Sequence, residues 1–334
     1  MQTPLSDAIT HYSLIYSPTL LLLKMYRYLF LLLTLLSLPT RSQTIAFNEW
    51  MKSIADTTPL CHISIPGTHD SGALEGGEAF QTQELTLKEQ LEAGVRCFDI
   101  RLKACDNNLL GVYHSIVFQD AYWETDVLPT FLTFLKEHPT ELLIVMLKKE
   151  GGNDKDFSTL LTKSLQDTLH SKTFVQDVPK DLTLGACRGK ILFIHRDHLL
   201  TEFPGAQCHE WQNNATCRVT LKDAQGNETP LSVEDEYQFA SAESAPYKVE
   251  TTWKHMTSAS LNPSSVYVWS ISFASATALP EEGPQAFANH VNSALAQRTA
   301  TLTHPCGIIL IDFAGTKDGK TLLYNIIRSN KISN

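Results

Sequence analysis

The sequence predicts an α/β protein folded as a single, somewhat distorted TIM-type (β/α)8 barrel with its active site at the C-terminal ends of the strands. Three observations lead there. Short, almost wholly apolar runs recur along the chain, as in parallel strands buried on both faces. Stretches of helical periodicity separate them. Most of the runs end on a titratable residue, the position that carries chemistry in such barrels.

The runs follow in order: His62-Ile-Ser-Ile-Pro, Val95-Arg-Cys-Phe-Asp-Ile-Arg, a weak third run at Gly111-Val-Tyr-His, then Glu141-Leu-Leu-Ile-Val-Met-Leu-Lys and Lys190-Ile-Leu-Phe-Ile-His-Arg. Val266-Tyr-Val-Trp-Ser-Ile-Ser-Phe and Gly307-Ile-Ile-Leu-Ile-Asp-Phe complete the set. Helical spacing marks Leu85 to Ala93, Val127 to Glu137 (stopped by His138-Pro139) and Phe287 to Arg298. The polar stretch 204–250 reads poorly, and 204–230 resembles an insertion at the mouth.

Of 334 residues, 43% are hydrophobic and 19% charged, the composition of a globular protein. The net charge of −9 and the lack of a long basic run argue against nucleic acid as a partner. From Met25 the chain shows a basic residue, Arg27, an apolar run from Leu29 to Leu38, and small residues Thr40 and Ser42 before Gln43. That is the form of a secretory signal peptide. Residues 1–42 are therefore expected to be a leader, with Met25 an alternative start, and 43–334 the catalytic barrel of a secreted protein acting as a monomer. Leu20 to Leu23 lengthen the apolar run enough to keep a membrane anchor as the alternative. An oxidising compartment permits disulfides among seven cysteines, with Cys97–Cys105 and Cys208–Cys217 as candidate local pairs. Asn214 and Asn227 stand in glycosylation sequons.

The polar strand ends are His69-Asp70, Asp99 and Arg101, His114, Lys148 and Glu150, His195-Arg196, and Asp312. Residues two apart share a strand face, so Asp99 and Arg101 point the same way, as do Lys148 and Glu150. An arginine held by a carboxylate offers a fork that matches two phosphate oxygens. Two histidines can divide general-base and general-acid work, and an aspartate behind one of them sets its tautomer. That kit suits in-line cleavage of a phosphodiester that carries a neighbouring hydroxyl. No cysteine spacing suggests zinc.

Ile63-Ser-Ile-Pro-Gly-Thr-His-Asp-Ser-Gly and Gln90-Leu-Glu-Ala-Gly-Val-Arg-Cys-Phe-Asp-Ile-Arg resemble the first two barrel strands of the bacterial-type phosphatidylinositol-specific phospholipases C, the X-domain family. Phe134 to Glu150, Leu184 to Phe193 and Val233-Glu-Asp-Glu-Tyr add weaker likeness. The resemblance implies His69 as general base on the inositol 2-hydroxyl, oriented by Asp312, and His114 as general acid. It implies Arg101 on the phosphate, with Asp70 linking it to the reacting hydroxyl. Lys148, Glu150, Arg196, Asp235 and Tyr237 would line the inositol pocket, with Tyr237 stacking on the ring. Arg101 stands where calcium-dependent relatives carry an acidic ligand, so no metal or other cofactor is expected and calcium-independence is implied. Ser115 after His114 departs from the glycine expected there. The implied substrate is phosphatidylinositol, or a GPI lipid, met transiently at a membrane surface. Another phospholipid or a glycerophosphodiester, or a non-catalytic inositol-lipid-binding barrel, are the alternatives. Tyr122-Trp123 are candidates for bilayer contact, although core packing is favoured for them.

Overall fold

The computed structural model describes residues 46–165, 172–260 and 266–330, with Tyr26 alone upstream. The expected leader, 1–42, otherwise lies outside the described residues. The described residues from 46 onward belong to one compact unit.

Eleven strands form one sheet: β1 (Ile65–Thr68), β2 (Cys97–Ala104), β3 (Leu110–His114), β4 (Val117–Tyr122), β5 (Leu143–Lys149), β6 (Ile191–His195), β7 (Ala206–His209), β8 (Ala215–Asp223), β9 (Glu228–Asp235), β10 (Trp269–Phe273) and β11 (Ile308–Ile311). β1 pairs in parallel with both β11 and β2, which closes the sheet into a barrel. The ring runs β1-β2-β5-β6-β7-β8-β9-β10-β11. All its members are parallel except β8, which is antiparallel to both neighbours.

Two elements depart from the expected barrel. The run at 111–114 is not a parallel barrel strand: β3 pairs antiparallel with the upper end of β2 and forms a hairpin with β4. β2 is long enough to rise above β1, and its free edge there takes the hairpin. The second departure is β8, inside the stretch that read poorly. It places Cys217, Val219 and Leu221 in the barrel interior, with Arg218, Thr220 and Lys222 between them. This alternation belongs to a strand buried on one face only.

Inside the barrel every second side chain points inward. Ile65, Cys97, Ile144, Met146, Leu192, Ile194, Leu231, Val233, Trp269, Ile271, Ile308 and Leu310 fill the interior as one apolar cluster. Phe98, Ile100, Val145, Leu147, Ile191, Phe193, Ile309 and Ile311 face the helices outside. The period of two then dictates which residue comes next on each inward face. It is His69 after Ile65 and Gly67, and Arg101 after Cys97 and Asp99. It is Lys148 after Met146, Arg196 after Ile194, Asp235 after Val233, and Asp312 after Leu310. The barrel is therefore apolar below and charged at its mouth. Gly67 is required on the first of these faces, since a Cβ there would lie 2.9 Å from that of Cys97.

The lower end is closed by Trp50, whose indole donates to the Gly94 carbonyl at 2.9 Å. Beside it the wholly buried Arg96 and Glu141 pair at 3.0 Å.

None of the seven cysteines, all of them described residues, is in a disulfide. Cys97 opens β2 and Cys105 follows its last residue, roughly 26 Å away at about 3.3 Å per residue. Cys208 lies opposite Leu221 on β8, four residues from Cys217. Both candidate pairs exceed the reach of a disulfide. Trp123 is buried and donates to Ser164 Oγ at 3.0 Å, so it packs in the core and does not face a bilayer.

Candidate active site

The strand ends bring His69, Asp70, Arg101, His114 and Asp312 into one cluster. His69 Nδ1 lies 2.8 Å from Asp312 Oδ1, and His69 Nε2 lies 2.7 Å from Arg101 Nη2. A guanidinium only donates, so Nε2 carries the lone pair and Nδ1 holds the proton that Asp312 accepts. Burial, reinforced by Arg101, pushes the His69 imidazolium well below its ordinary 6.5. A neutral imidazole with Nε2 open as a base is the consequence.

Arg101 is held from two sides. Its Nε and Nη2 donate to Asp99 Oδ2 at 3.3 and 3.1 Å, and its Nη1 is 3.3 Å from Asp70 Oδ2. Burial opposes its charge, but Asp70, Asp99 and Glu150 outweigh burial and raise its pKa. The reverse holds for Asp99: burial pushes its carboxyl up, yet Arg101 and Arg196 hold it well below the usual range. Asp70 behaves differently. Burial, with Asp99 and Glu150 nearby, outweighs Arg101 and His114 and lifts its carboxyl to about 6.

His114 enters from the hairpin. Its Nδ1 donates to the Phe80 carbonyl at 2.6 Å, and its Nε2 lies 3.6 Å from Asp70 Oδ2. The tip continues across the mouth, where Ser115 N donates to Glu150 Oε1 at 3.0 Å. Ser115 has a φ of 54°, the left-handed region where glycine is easiest. Asp70 is also left-handed, with a φ of 37°.

The expected pocket residues pair with one another. Lys148 Nζ meets Glu150 Oε2 at 3.0 Å, while Lys149 turns outward to Asp154. Burial pushes Glu150 up, but Arg101 and Lys148 hold it below its ordinary range. Arg196 Nη2 is 3.3 Å from Asp235 Oδ2. Tyr237 sits at the rim with its hydroxyl on Asn213 Oδ1, 2.9 Å away. His195, a polar strand end in the sequence, faces the outer layer and bonds the Pro204 carbonyl at 3.0 Å. Of the two sequons, Asn214 Oδ1 accepts from the backbone of Tyr237 and Gln238, and Asn227 Nδ2 donates to Asp223.

Sequence reasoning missed three contributors. The Phe80 carbonyl, a backbone group, leaves no trace in the sequence. Phe273 ends β10 and sets its ring edge-on to His69, centroids 6.0 Å apart; ending an apolar run was its only signal. Trp211 lies in the loop between β7 and β8, inside the poorly read stretch, and its ring carries the Arg196 guanidinium at 4.1 Å.

Among the described residues, no group of three His, Cys, Asp or Glu side chains could hold a metal ion. No helix among them is long and apolar enough to cross a membrane. The arrangement offers a base, a fixed cation and a second imidazole around one cavity mouth.

Residues 56–197 match the family model described as phosphatidylinositol-specific phospholipase C, X domain. The chain is 30% identical over 303 residues to the 1-phosphatidylinositol phosphodiesterase of Listeria monocytogenes, covering 87% of each. It is 27% identical to that of Staphylococcus aureus strain Newman, covering 85% of this chain and 94% of the other. The solved phosphatidylinositol-specific phospholipase C from Listeria monocytogenes superposes with a TM-score of 0.68 at 26% identity, covering 85% of this chain and 99% of that one. A Staphylococcus aureus counterpart gives a TM-score of 0.75 at 23% identity, covering 86% and 98%, and shares the fold. With a relative 30% identical over 87% of the chain, the chain belongs to the phosphatidylinositol-specific phospholipase C family of X-domain proteins.

Proposed function

We propose that this chain is a secreted enzyme that cleaves phosphatidylinositol, and GPI lipids of the same headgroup linkage, to diacylglycerol and an inositol cyclic phosphate. The observation that carries this reading is the line Asp312–His69–Arg101, at 2.8 and 2.7 Å, with His114 facing Asp70 across it. His69 Nε2 takes the proton of the inositol 2-hydroxyl. The freed oxygen attacks phosphorus and forms the cyclic diester. Arg101 neutralises the charge that builds on the non-bridging oxygens, and Asp70 ties it to the acid side of the site. The bond from phosphorus to the glycerol oxygen breaks, and His114, protonated on Nε2, returns a proton to that oxygen. Lys148, Glu150, Arg196, Asp235 and Tyr237 hold the ring.

The reaction is calcium-independent in this reading, because the Arg101 guanidinium fills the space between Asp70 and Asp99 that a cation would need. The enzyme works as a monomer, meeting the bilayer transiently. Ile116, 82% exposed at the hairpin tip beside His114, is an apolar group such a surface would touch.

A phospholipid panel followed by phosphorus NMR in EDTA tests the reading. A cyclic phosphate from phosphatidylinositol alone is the expected product. Cleavage of another headgroup with phosphatidylinositol left intact, or activity that returns only with calcium, would overturn it.

A further inference from the structure

Trp211 has no role in the acid–base scheme, yet it touches two of the residues assigned to the headgroup. Its indole Nε1 donates to Asp235 Oδ2 at 3.0 Å. Its ring lies under the Arg196 guanidinium, 4.1 Å from centroid to Cζ. Arg196 Nη2 reaches the same Asp235 oxygen at 3.3 Å. Trp211, Arg196 and Asp235 thus form a closed triangle, and each edge is a charge-assisted contact. The ring also stands edge-on to Phe273 at 6.0 Å, and Phe273 stands edge-on to His69 at 6.0 Å. The aromatic wall therefore runs without a break from the base to the headgroup cation.

The loop bearing Trp211 is held rigidly. Glu210 and Asn214, at either end of it, are left-handed, with φ of 68° and 51°. Asn214 Oδ1 accepts from Tyr237 N and Gln238 N at 2.8 and 2.9 Å, which ties the loop to the segment after β9. An indole on such a loop has little freedom to turn away.

We propose that Trp211 is a positioning residue for the inositol ring: it fixes the Arg196 guanidinium in one plane and saturates one oxygen of Asp235. Arginine has several rotamers of similar energy, and a cation over an indole face selects one of them. With Oδ2 occupied by Trp211 and Arg196, Oδ1 of Asp235 has no hydrogen-bond donor among the described residues. It is left to accept from a ring hydroxyl. Trp211 acts on ring binding and not on proton transfer, so its loss raises KM and leaves kcat nearly unchanged. This inference rests on the proposed phosphatidylinositol reading.

The test is steady-state kinetics on a short-chain, water-soluble phosphatidylinositol with Trp211→Phe, Trp211→Leu, Arg196→Ala and the Trp211→Leu/Arg196→Ala double variant. Trp211→Phe keeps the ring face and loses the N–H, and should raise KM by roughly ten-fold. Trp211→Leu loses both contacts and should raise KM by about 10- to 100-fold. The double variant should be no worse than Arg196→Ala, because Trp211 acts through Arg196 and its partner. A KM within two-fold of the parent for Trp211→Phe overturns the proposal, and does so even where the leucine variant fails to fold. Losses confined to kcat, or single losses that multiply in the double variant, overturn it as well. A parent enzyme that leaves phosphatidylinositol intact fails the functional reading itself; a parent that cleaves it, with variants matching the parent, fails only the role of Trp211.

Discussion

Arg101 Nη2 lies 2.7 Å from His69 Nε2, a cation hydrogen-bonded to the atom proposed as the general base. Burial, and then this contact, favour a neutral His69.

That relationship can be titrated. Burial and then Arg101 depress the His69 pKa, so its ring signals in NMR should stay those of a neutral imidazole well below pH 6.5. Arg101→Gln removes the neighbouring charge and should move the titration upward, while burial keeps it under 6.5. A His69 midpoint at or above 6.5 in the parent would contradict the geometry. Arg101→Lys replaces the fork with a point charge and should cost about 10²–10³ in kcat/KM.

Asp312 accepts the Nδ1 proton of His69, so its effect is on tautomer. Asp312→Asn presents an N–H to Nδ1, which forces the ring proton onto Nε2, against Arg101. The expected loss is on the order of 10²–10⁴ in kcat. A kcat within a few-fold of the parent would remove Asp312 as the orienting group.

Asp70 costs stability at neutral pH. Its carboxyl has an ordinary value of 3.8 and is lifted to about 6 in the fold, chiefly by burial. Between those values the folded state binds more protons than the unfolded one, so the contribution of Asp70 is fully present below about pH 4 and lost as the pH rises through 6. Asp70→Asn should therefore stabilise the protein at pH 7 by roughly 1–3 kcal/mol, and the gain should fade below pH 4. The left-handed backbone at 70 also suits asparagine. Denaturant midpoints across pH 4–8 measure it, and equal midpoints of variant and parent at pH 7 would refute it. Activity should fall, since Arg101 loses a partner.

Arg96 and Glu141 are both wholly buried at the foot of the barrel. Glu141→Ala leaves the guanidinium without a counter-charge and should cost about 3–5 kcal/mol, read as a lower denaturant midpoint. The site lies at the other end of the strands, so the folded fraction should keep the parent KM. A changed KM would mean that the pair is coupled to the mouth.

Much of the site was legible because the code that places it is short. Residues two apart on a strand share a face, so Asp99 with Arg101 and Lys148 with Glu150 could be paired from spacing, and the preference for Lys148 over Lys149 follows from the same rule. The apolar runs revealed the barrel because a strand buried on both faces carries little polarity to disguise it. β8 was missed although Cys217, Val219 and Leu221 alternate with Arg218, Thr220 and Lys222. A reading tuned to continuous apolar runs passes over a strand that is wet on one side.

By itself the sequence determined that buried apolar strands alternate with helices and which charged groups end several of those strands, since both follow from local periodicity. Only the tertiary structure decided which group meets which. His69 and Asp312 are 243 positions apart and touch because β1 closes the ring against β11. His114 reaches Asp70 from a hairpin outside the ring, and Trp211 reaches Arg196 from a loop. Such contacts depend on where the barrel closes and how far a strand rises above its neighbour, which are properties of the packed chain and not of any segment of it.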